Sequence, residues 1–222
     1  MADLKLIIIS AKTEWNVVKK HFPQAVVEQS PYGEYFVDND YVYFHGGIGK
    51  ISAAAATQYC IDKWSPCIVA NLGTCGGFQG KVNRGDIILA EKTVVYDILD
   101  QMGAMDATIE FYSTELDLNW LPDTYPIHVI KTVLVSGDRD LVVEEIPALH
   151  ERWGAIAGDW ESGSIAWVCK LNTVRCLILR GVSDLVGDDG GEAYKDISVF
   201  KSGAELVMNQ LLPSLPHWLI NV

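Results

Sequence analysis

The sequence predicts an α/β protein: a single-domain, three-layer α/β/α sandwich on a largely parallel or mixed central sheet, spanning residues 1–222. Three observations point to it. Val- and Ile-rich runs that end at turn residues alternate from end to end with segments of helical apolar spacing. Some runs, such as LIIIS at 6–10 and CLILRGV at 176–182, are nearly continuous in apolar character, as strands buried on both faces are. A chain of 222 residues with no repeat, low-complexity tract or linker suffices for one sizeable core.

Taken in order, Lys5–Ser10 reads as a first strand, followed by a helix over Thr13–Phe22 with Thr13 as a plausible cap. A strand at Tyr41–Gly46 then leads into a helix over Lys50–Trp64. Strands at Cys67–Leu72, Asp86–Tyr96 and His128–Ser136 are β-branched runs bounded by Gly, Asp and Pro. A helix over Val142–Trp153, a strand at Ala155–Asp159 and a helix over Ser162–Leu171, with Ser162 as cap, come next. The strand Val174–Val182 and the helix Val199–Leu212 complete the pattern. The longest irregular stretches, Asp97–Pro126 and Gly187–Asp196, are candidate lids.

Composition narrows the function. The formal charge is −12, from 29 acidic against 17 basic residues, and no Lys or Arg cluster offers phosphate contacts. That excludes a nucleic-acid binder and leaves a small molecule as the expected partner. No apolar run approaches the length of a membrane span. The N-terminus, with acidic Asp3 and no small-residue cleavage site after its β-branched run, reads as a first strand rather than a leader. Cysteines at 60, 67, 75, 169 and 176 form no CxxC pair, as expected of reduced thiols in a cytoplasmic protein.

In an open α/β sheet, ligands sit beyond the carboxyl ends of the strands. The residues expected there are Glu14, Gly46–Lys50, Gly73–Gly77, Asp138–Leu141, Asp159–Glu161 and Ser183–Asp184. FHGGIGKIS is no P-loop, because Phe44 stands where the first glycine belongs and Ile51 where Ser or Thr belongs. GTCGGFQG lacks dinucleotide-loop spacing, so Gly73, Gly76 and Gly77 mark a close backbone approach, to a ligand or to a neighbouring segment. A lone Asp after a strand is usually a cap or turn former. Glu14, Asp159, Glu161 and Asp184, however, converge from separate strand ends without any metal-ligand spacing, which suits acid/base chemistry. No feature calls for a metal or an organic cofactor.

Four segments carry a resemblance: IIISAKTE (7–14), GGIGKISAAAA (46–56), NLGTCGGFQGKVNRGDIILAEKTVVYD (71–97) and GDWESGSIAWVCKLNTVRCLILRGVSDLVG (158–187). In order and spacing, over nearly the whole chain, it resembles the 5′-methylthioadenosine/S-adenosylhomocysteine nucleosidases of the purine nucleoside phosphorylase-like superfamily. The resemblance implies a hydrolase that cleaves the N-glycosidic bond of a purine nucleoside with water as co-substrate. Glu14 then stands where the family deprotonates the water, and Asp184, with Ser183 beside it, where the family protonates the purine. Glu161 matches the acid that holds the ribose hydroxyls. Thr74, Cys75, Gly76, Leu141, Asp159 and Trp160 complete the implied substrate pocket. Ile48 falls on the sugar side, although core packing explains it equally well, and Tyr194 falls where an aromatic covers the base. Asp159 and Trp160 replace the family's usual Glu-Met, and Asp140 falls near the position of a base-stacking phenylalanine. The accepted 5′ group therefore stays open among methylthio, homocysteinyl, deoxy, free hydroxyl and the longer group of futalosine. Trp167 and Cys169 read as core-helix residues without a chemical role.

A phosphate-dependent phosphorylase is the nearest alternative, but the arginines the family's phosphorylases use are absent from their usual loops here. A non-catalytic nucleoside-binding protein is the second; it has no need of both a base and an acid. The resemblance also implies a homodimer, with Asp97–Asp106 and its Met102 and Met105 as the contact, unless those methionines pack beneath their own domain.

Overall fold

The computed structural model describes residues 4–222, so Asp3 lies outside the described residues. The chain begins with β1 (Lys5–Ile9), a strand of KLIII in which every residue is buried. Alternation sends Leu6 and Ile8 to one face of the sheet and Ile7 and Ile9 to the other. Each face is roofed by helices. On one lie α1 (Lys12–His21) and α7 (Ile197–Trp218); on the other lie α2 (Lys50–Trp64) and α5 (Ser162–Leu171). Ala53, Ala56, Thr57 and Cys60 of α2 are buried at helical spacing, and α5 is buried almost all round. Three layers result.

The remaining strands are β2 (Glu28–Ser30), β3 (Gly33–Asp38), β4 (Tyr41–His45), β5 (Ile68–Phe78), β6 (Ile87–Val95), β7 (Thr114–Glu115), β8 (Ile130–Ser136), β9 (Ala157–Asp159), β10 (Arg175–Gly187) and β11 (Gly190–Gly191). β1 pairs in parallel with β4 and β5, and β5 in parallel with β10. β10 and β6 are antiparallel, β6–β8 and β8–β9 parallel, and β9–β5 antiparallel. Strands β5, β10, β6, β8 and β9 thus close a ring, from which β1, β4, β3 and β2 extend as an open wing. The sheet is mixed. Register shifts at Ala90/Lys92 in β6 and at Val182/Asp184 in β10 supply the extra twist that closure needs.

Several expected boundaries move. β5 runs six residues beyond Leu72, to Phe78, and β10 five beyond Val182, to Gly187, so Gly73–Gly77 and Ser183–Asp184 lie inside strands, each paired with the other strand's backbone. The caps of α1 and α5 are Ala11 and Glu161, with Thr13 and Ser162 inside the first turn. The wing strands β2 and β3 are short and partly polar at the sheet edge, which hid them from a periodicity search. Of the expected irregular stretches, the first contains α3 (Met105–Tyr112) and β7, the second β11 and α6 (Glu192–Lys195). The segment before α4 (Ile146–Trp153) is a single 3-10 turn. Helix α7 continues through Pro213 and Pro216 instead of stopping at Leu212. Its last turns bury Leu215 and Trp218, and burial of one such side chain contributes about 1.5–3 kcal/mol, enough to offset much of a missing helical hydrogen bond. Among the described residues no helix is long and apolar enough to cross a membrane.

The wing is tied to α1 by Glu34, whose carboxylate accepts hydrogen bonds from Trp15 Nε1 (2.6 Å), Lys19 Nζ (3.1 Å) and Lys12 Nζ (3.2 Å). The indole and the two ammonium groups hold this carboxyl at about 2, below its ordinary 4.5. A depressed carboxylate contributes stability that is fully present above its unfolded value and is lost as pH falls through the folded one. Glu34→Gln should therefore lower Tm at neutral pH, with the gap to wild type narrowing between about pH 4.5 and 2. A gap in thermal melts that stays constant over that window would contradict this account.

Candidate active site

The carboxyl ends of β1, β4, β5, β9 and β10 meet the 137–141 and 190–197 segments around a cavity of about 480 Å³, within the range of small-molecule sites. The twelve residues that the resemblance places at the site line it, namely Glu14, Ile48, Thr74, Cys75, Gly76, Leu141, Asp159, Trp160, Glu161, Ser183, Asp184 and Tyr194, whereas Gly46, Gly47, Gly49, Lys50, Gly73, Gly77 and Asp138 of the expected strand-end set do not. The core-packing reading of Ile48 fails, because its side chain is 59% exposed on the cavity wall.

Glu14 is only 1% exposed. Its Oε1 accepts from the Thr74 amide and the Thr74 hydroxyl, both at 2.7 Å, and its Oε2 from the Ala11 amide at 3.0 Å. Three donors from two elements leave the carboxylate one orientation. The reach from α1 to β5 requires Gly73: a Cβ there would lie 2.9 Å from Glu14 Oε1 and press into the Arg180 guanidinium. The glycine-rich turn is thus, at this position, an approach between chain segments.

Arg180, buried in β10, organises the next cluster. Its Nη2 donates to Asn71 Oδ1 (2.7 Å) and Glu161 Oε2 (3.3 Å), and its Nη1 to the Thr74 carbonyl (3.3 Å). Its Nε stands 2.8 Å from Asp159 Oδ2 as an ion pair, without the alignment of a hydrogen bond. Asp159 Oδ1 accepts from Ser136 Oγ (2.6 Å) and Ser162 Oγ (2.9 Å). Glu161 Oε1 accepts from the Gly49 amide at 2.9 Å, in a turn where Gly49 has φ +87° and a Cβ would meet Asp138. Burial pushes the Glu161 carboxyl above the usual carboxylate range, against the pull of Arg180 and with the push of Asp159.

Asp184 follows the bulge in β10. Ser183 is the extra residue, and the bulge turns Asp184 into the cavity opposite Gly76. Ser183 Oγ donates to Asp184 Oδ1 at 2.6 Å. Burial nevertheless raises the Asp184 carboxyl above its ordinary value, the serine hydrogen bond opposing and the nearby Glu192 adding to the rise. Cys75 beside it is a buried thiol whose ionisation burial pushes up, which removes it as a nucleophile. Tyr194 Oη donates to the Leu141 carbonyl (3.2 Å), joining the two loops over this part of the cavity.

Sequence reasoning missed Arg180 as the centre of the site, along with Ala11, Ile197 and Phe200. Phe200 stands one helical turn before Ala204 on the buried stripe of α7 and continues that stripe past the sheet into the cavity. Asp140 and Arg139 also line the mouth, and Arg139 is paired with Glu145. Among the described residues no group of three or more His, Cys, Asp or Glu is arranged to hold a metal ion. Cys169 is fully buried in the core, whereas Trp167 packs against Phe111 and Tyr112 of α3.

Residues 32–212 match the family model of the phosphorylase superfamily. A 5′-methylthioadenosine/S-adenosylhomocysteine nucleosidase of Buchnera aphidicola is 33% identical over 172 residues, covering 72% of this chain and 74% of that one. Two solved structures share the fold. The nucleosidase of Neisseria meningitidis in complex with methylthio-immucillin-A superposes with a TM-score of 0.79 at 17% identity, covering 99% of this chain and all of that one. Futalosine hydrolase of Helicobacter pylori gives 0.76 at 18% identity, covering 96% and 97%. With strands β4 to β10, the glycine turn and most of the acid-lined cavity inside the matched span, and β1 and Glu14 preceding it, the chain belongs to the phosphorylase superfamily and, within it, to the 5′-methylthioadenosine/S-adenosylhomocysteine nucleosidase family.

Proposed function

We propose that the protein hydrolyses the N-glycosidic bond of a 5′-substituted adenosine such as 5′-methylthioadenosine or S-adenosylhomocysteine, releasing the free base and the ribose product. The observation that carries this reading is a pair of carboxyls in unlike surroundings lining one cavity: Glu14 fixed by three donors, and Asp184 buried with a raised affinity for its proton. Asp184 gives its proton to N7 of the purine as the C1′–N9 bond breaks, so the bonding electrons leave on a neutral base. Water attacks C1′ and passes its proton to Glu14, on the face opposite the leaving base, which inverts the anomeric centre. Glu161 binds the ribose hydroxyls. With Asp159 it sets negative charge beside a sugar that becomes positive only as the bond breaks, so the interaction strengthens in the transition state.

The phosphorylase alternative is disfavoured by what occupies the N-terminus of α2. Such a terminus is a ready anion site, but the Gly49 amide already serves Glu161 and the Lys50 amide serves Asp138 Oδ1 at 2.7 Å. Arg180 already faces Asn71, the Thr74 carbonyl, Asp159 and Glu161, and a dianion there would meet three acidic side chains.

A cytoplasmic homodimer completes the reading. Cys60, Cys75, Cys169 and Cys176 are buried thiols, as suits a reducing compartment. Leu99 (86% exposed) and Met102 (95%) stand out from the 97–106 segment, with Phe111 and Tyr112 of α3 also on the surface. So large an apolar group fits a second copy better than solvent.

Asp184→Asn should keep ligand binding near wild type and lower kcat by about 10²–10⁴-fold, and Glu14→Gln should do likewise. Retained turnover in either variant rules out that residue's role. Adenine release from 5′-methylthioadenosine should proceed at the same rate in phosphate-free and phosphate-containing buffer; dependence on phosphate would make the enzyme a phosphorylase. Light scattering should give twice the chain mass, falling to one chain in Met102→Glu, and a monomeric wild type would remove the dimer.

A further inference from the structure

One ion pair next to the cavity takes no part in the scheme above. Arg84 lies in the turn between β5 and β6, and that turn is stitched to β10 just ahead of the bulge: the Gly85 amide donates to the Val182 carbonyl and the Val182 amide to the Asp86 carbonyl, both at 2.9 Å. Asn83 N donates to Asp86 Oδ2 at 2.8 Å and locks the turn. From this platform the Arg84 guanidinium takes Glu192 in a two-point grip, with Nε donating to Oε2 at 2.7 Å and Nη2 paired with Oε1. The same Glu192 Oε2 accepts the amide of Leu185, the residue directly after Asp184, at 2.8 Å.

Glu192 is also the first residue of α6. The next residue, Ala193, turns its amide to the Asp184 carboxyl, and the one after that, Tyr194, spans the cavity mouth to Leu141. The backbone on either side of Asp184 is therefore held by a single unit: Val182 by the Arg84 turn, and Leu185 by Glu192.

We infer that the Arg84–Glu192 pair is a positioning device for Asp184, fixing α6 and the bulge of β10 against each other so that the acid, its Ala193 donor and the Tyr194 cover keep one geometry. This rests on the reading of Asp184 as the acid. The pair also bears on the acid electrostatically with opposite signs, Glu192 discouraging ionisation of Asp184 and Arg84 favouring it. The other groups facing Asp184 are the Ser183 hydroxyl on its own strand, the buried Cys75 thiol on β5 and the Tyr194 phenol on α6. Both partners of the pair are partly exposed, so solvent screens the effect.

The test compares Glu192→Gln, Arg84→Met and Arg84→Lys with wild type. It reads the Asp184 protonation midpoint from carboxyl ¹³C shifts of aspartate-labelled protein, with Asp184→Asn identifying the signal, and in parallel the alkaline limb of kcat for 5′-methylthioadenosine. Glu192→Gln removes the negative neighbour and leaves Arg84 unpaired, so the midpoint and the limb should move to lower pH. Arg84→Met leaves Glu192 uncompensated and should move both to higher pH. Arg84→Lys should restore most of the wild-type position, and about 0.5 M salt should shrink every shift. kcat should fall in the first two variants by more than KM rises. A merely structural clamp would move both variants the same way, and that result, or no shift in either, overturns the proposal. The ¹³C titration reads out without turnover, so an absence of hydrolysis in wild type counts against the functional reading alone.

Discussion

Everything at the site depends on burying one guanidinium. Arg180 is among the largest fully buried side chains, and its planar fork meets Asp159, Glu161, Asn71 and the Thr74 carbonyl, a set of partners that a lysine's point charge does not match. Asn71 in turn donates to the Ile8 carbonyl at 3.0 Å, and Glu161 reaches the Gly49 amide. One cation thereby binds β10 to β5, β9, β1 and the start of α2. Desolvating such a charge is expensive, and removing one partner of a buried pair costs about 3–5 kcal/mol. The arrangement is better understood as specificity of geometry than as a source of net stability.

The charge around Arg180 does not balance. Three carboxyls, those of Glu14, Asp159 and Glu161, gather around one guanidinium at the cavity, so acids outnumber the base there. The surplus of acids adds to the rise of the Glu161 carboxyl, which burial dominates. It is useful only to a ligand that acquires positive charge, as ribose does when the glycosidic bond loosens. Asp184 lies apart from this cluster, beyond the bulge, and burial alone largely accounts for its hold on a proton. Acid and base are distinguished by environment rather than by residue type.

Much of this was legible in the sequence because the central strands announce themselves. KLIII and the apolar run through Leu177–Leu179 are buried on both faces, and their ends point to the site. Helices α2 and α5 follow their apolar spacing from first residue to last. The acids were found because Glu14, Asp159, Glu161 and Asp184 sit at or near the expected ends of apolar runs and in recognisable motifs. What stayed hidden depended on long-range pairing. Nothing local in GTCGG says that it continues as a strand; only its register with RGVSD, more than a hundred residues away, supplies the hydrogen bonds. Arg180 stayed unmarked as the hub because its four partners come from two other segments, 71–74 and 159–161, which only the sheet brings to it. The prolines of α7 argued for a stop, and the burial of Leu215 and Trp218 prevailed.

The strand ring has a consequence for how the chain comes into being. β5 ends at residue 78, but the strand that pairs along its whole length does not begin until residue 175. During synthesis from the ribosome, an eleven-residue apolar strand waits with one long edge unpaired while about a hundred residues are added. At the typical translation rate of about 5–20 residues per second, that interval lasts roughly 5–20 s. Partial chains that end before β10 carry Glu14 and Thr74 without Arg180 or Asp184, and they expose an edge open to strand addition by other copies. Assembly of the catalytic constellation is thus a late, non-local event, and the interval before it is when this protein is most exposed to aggregation.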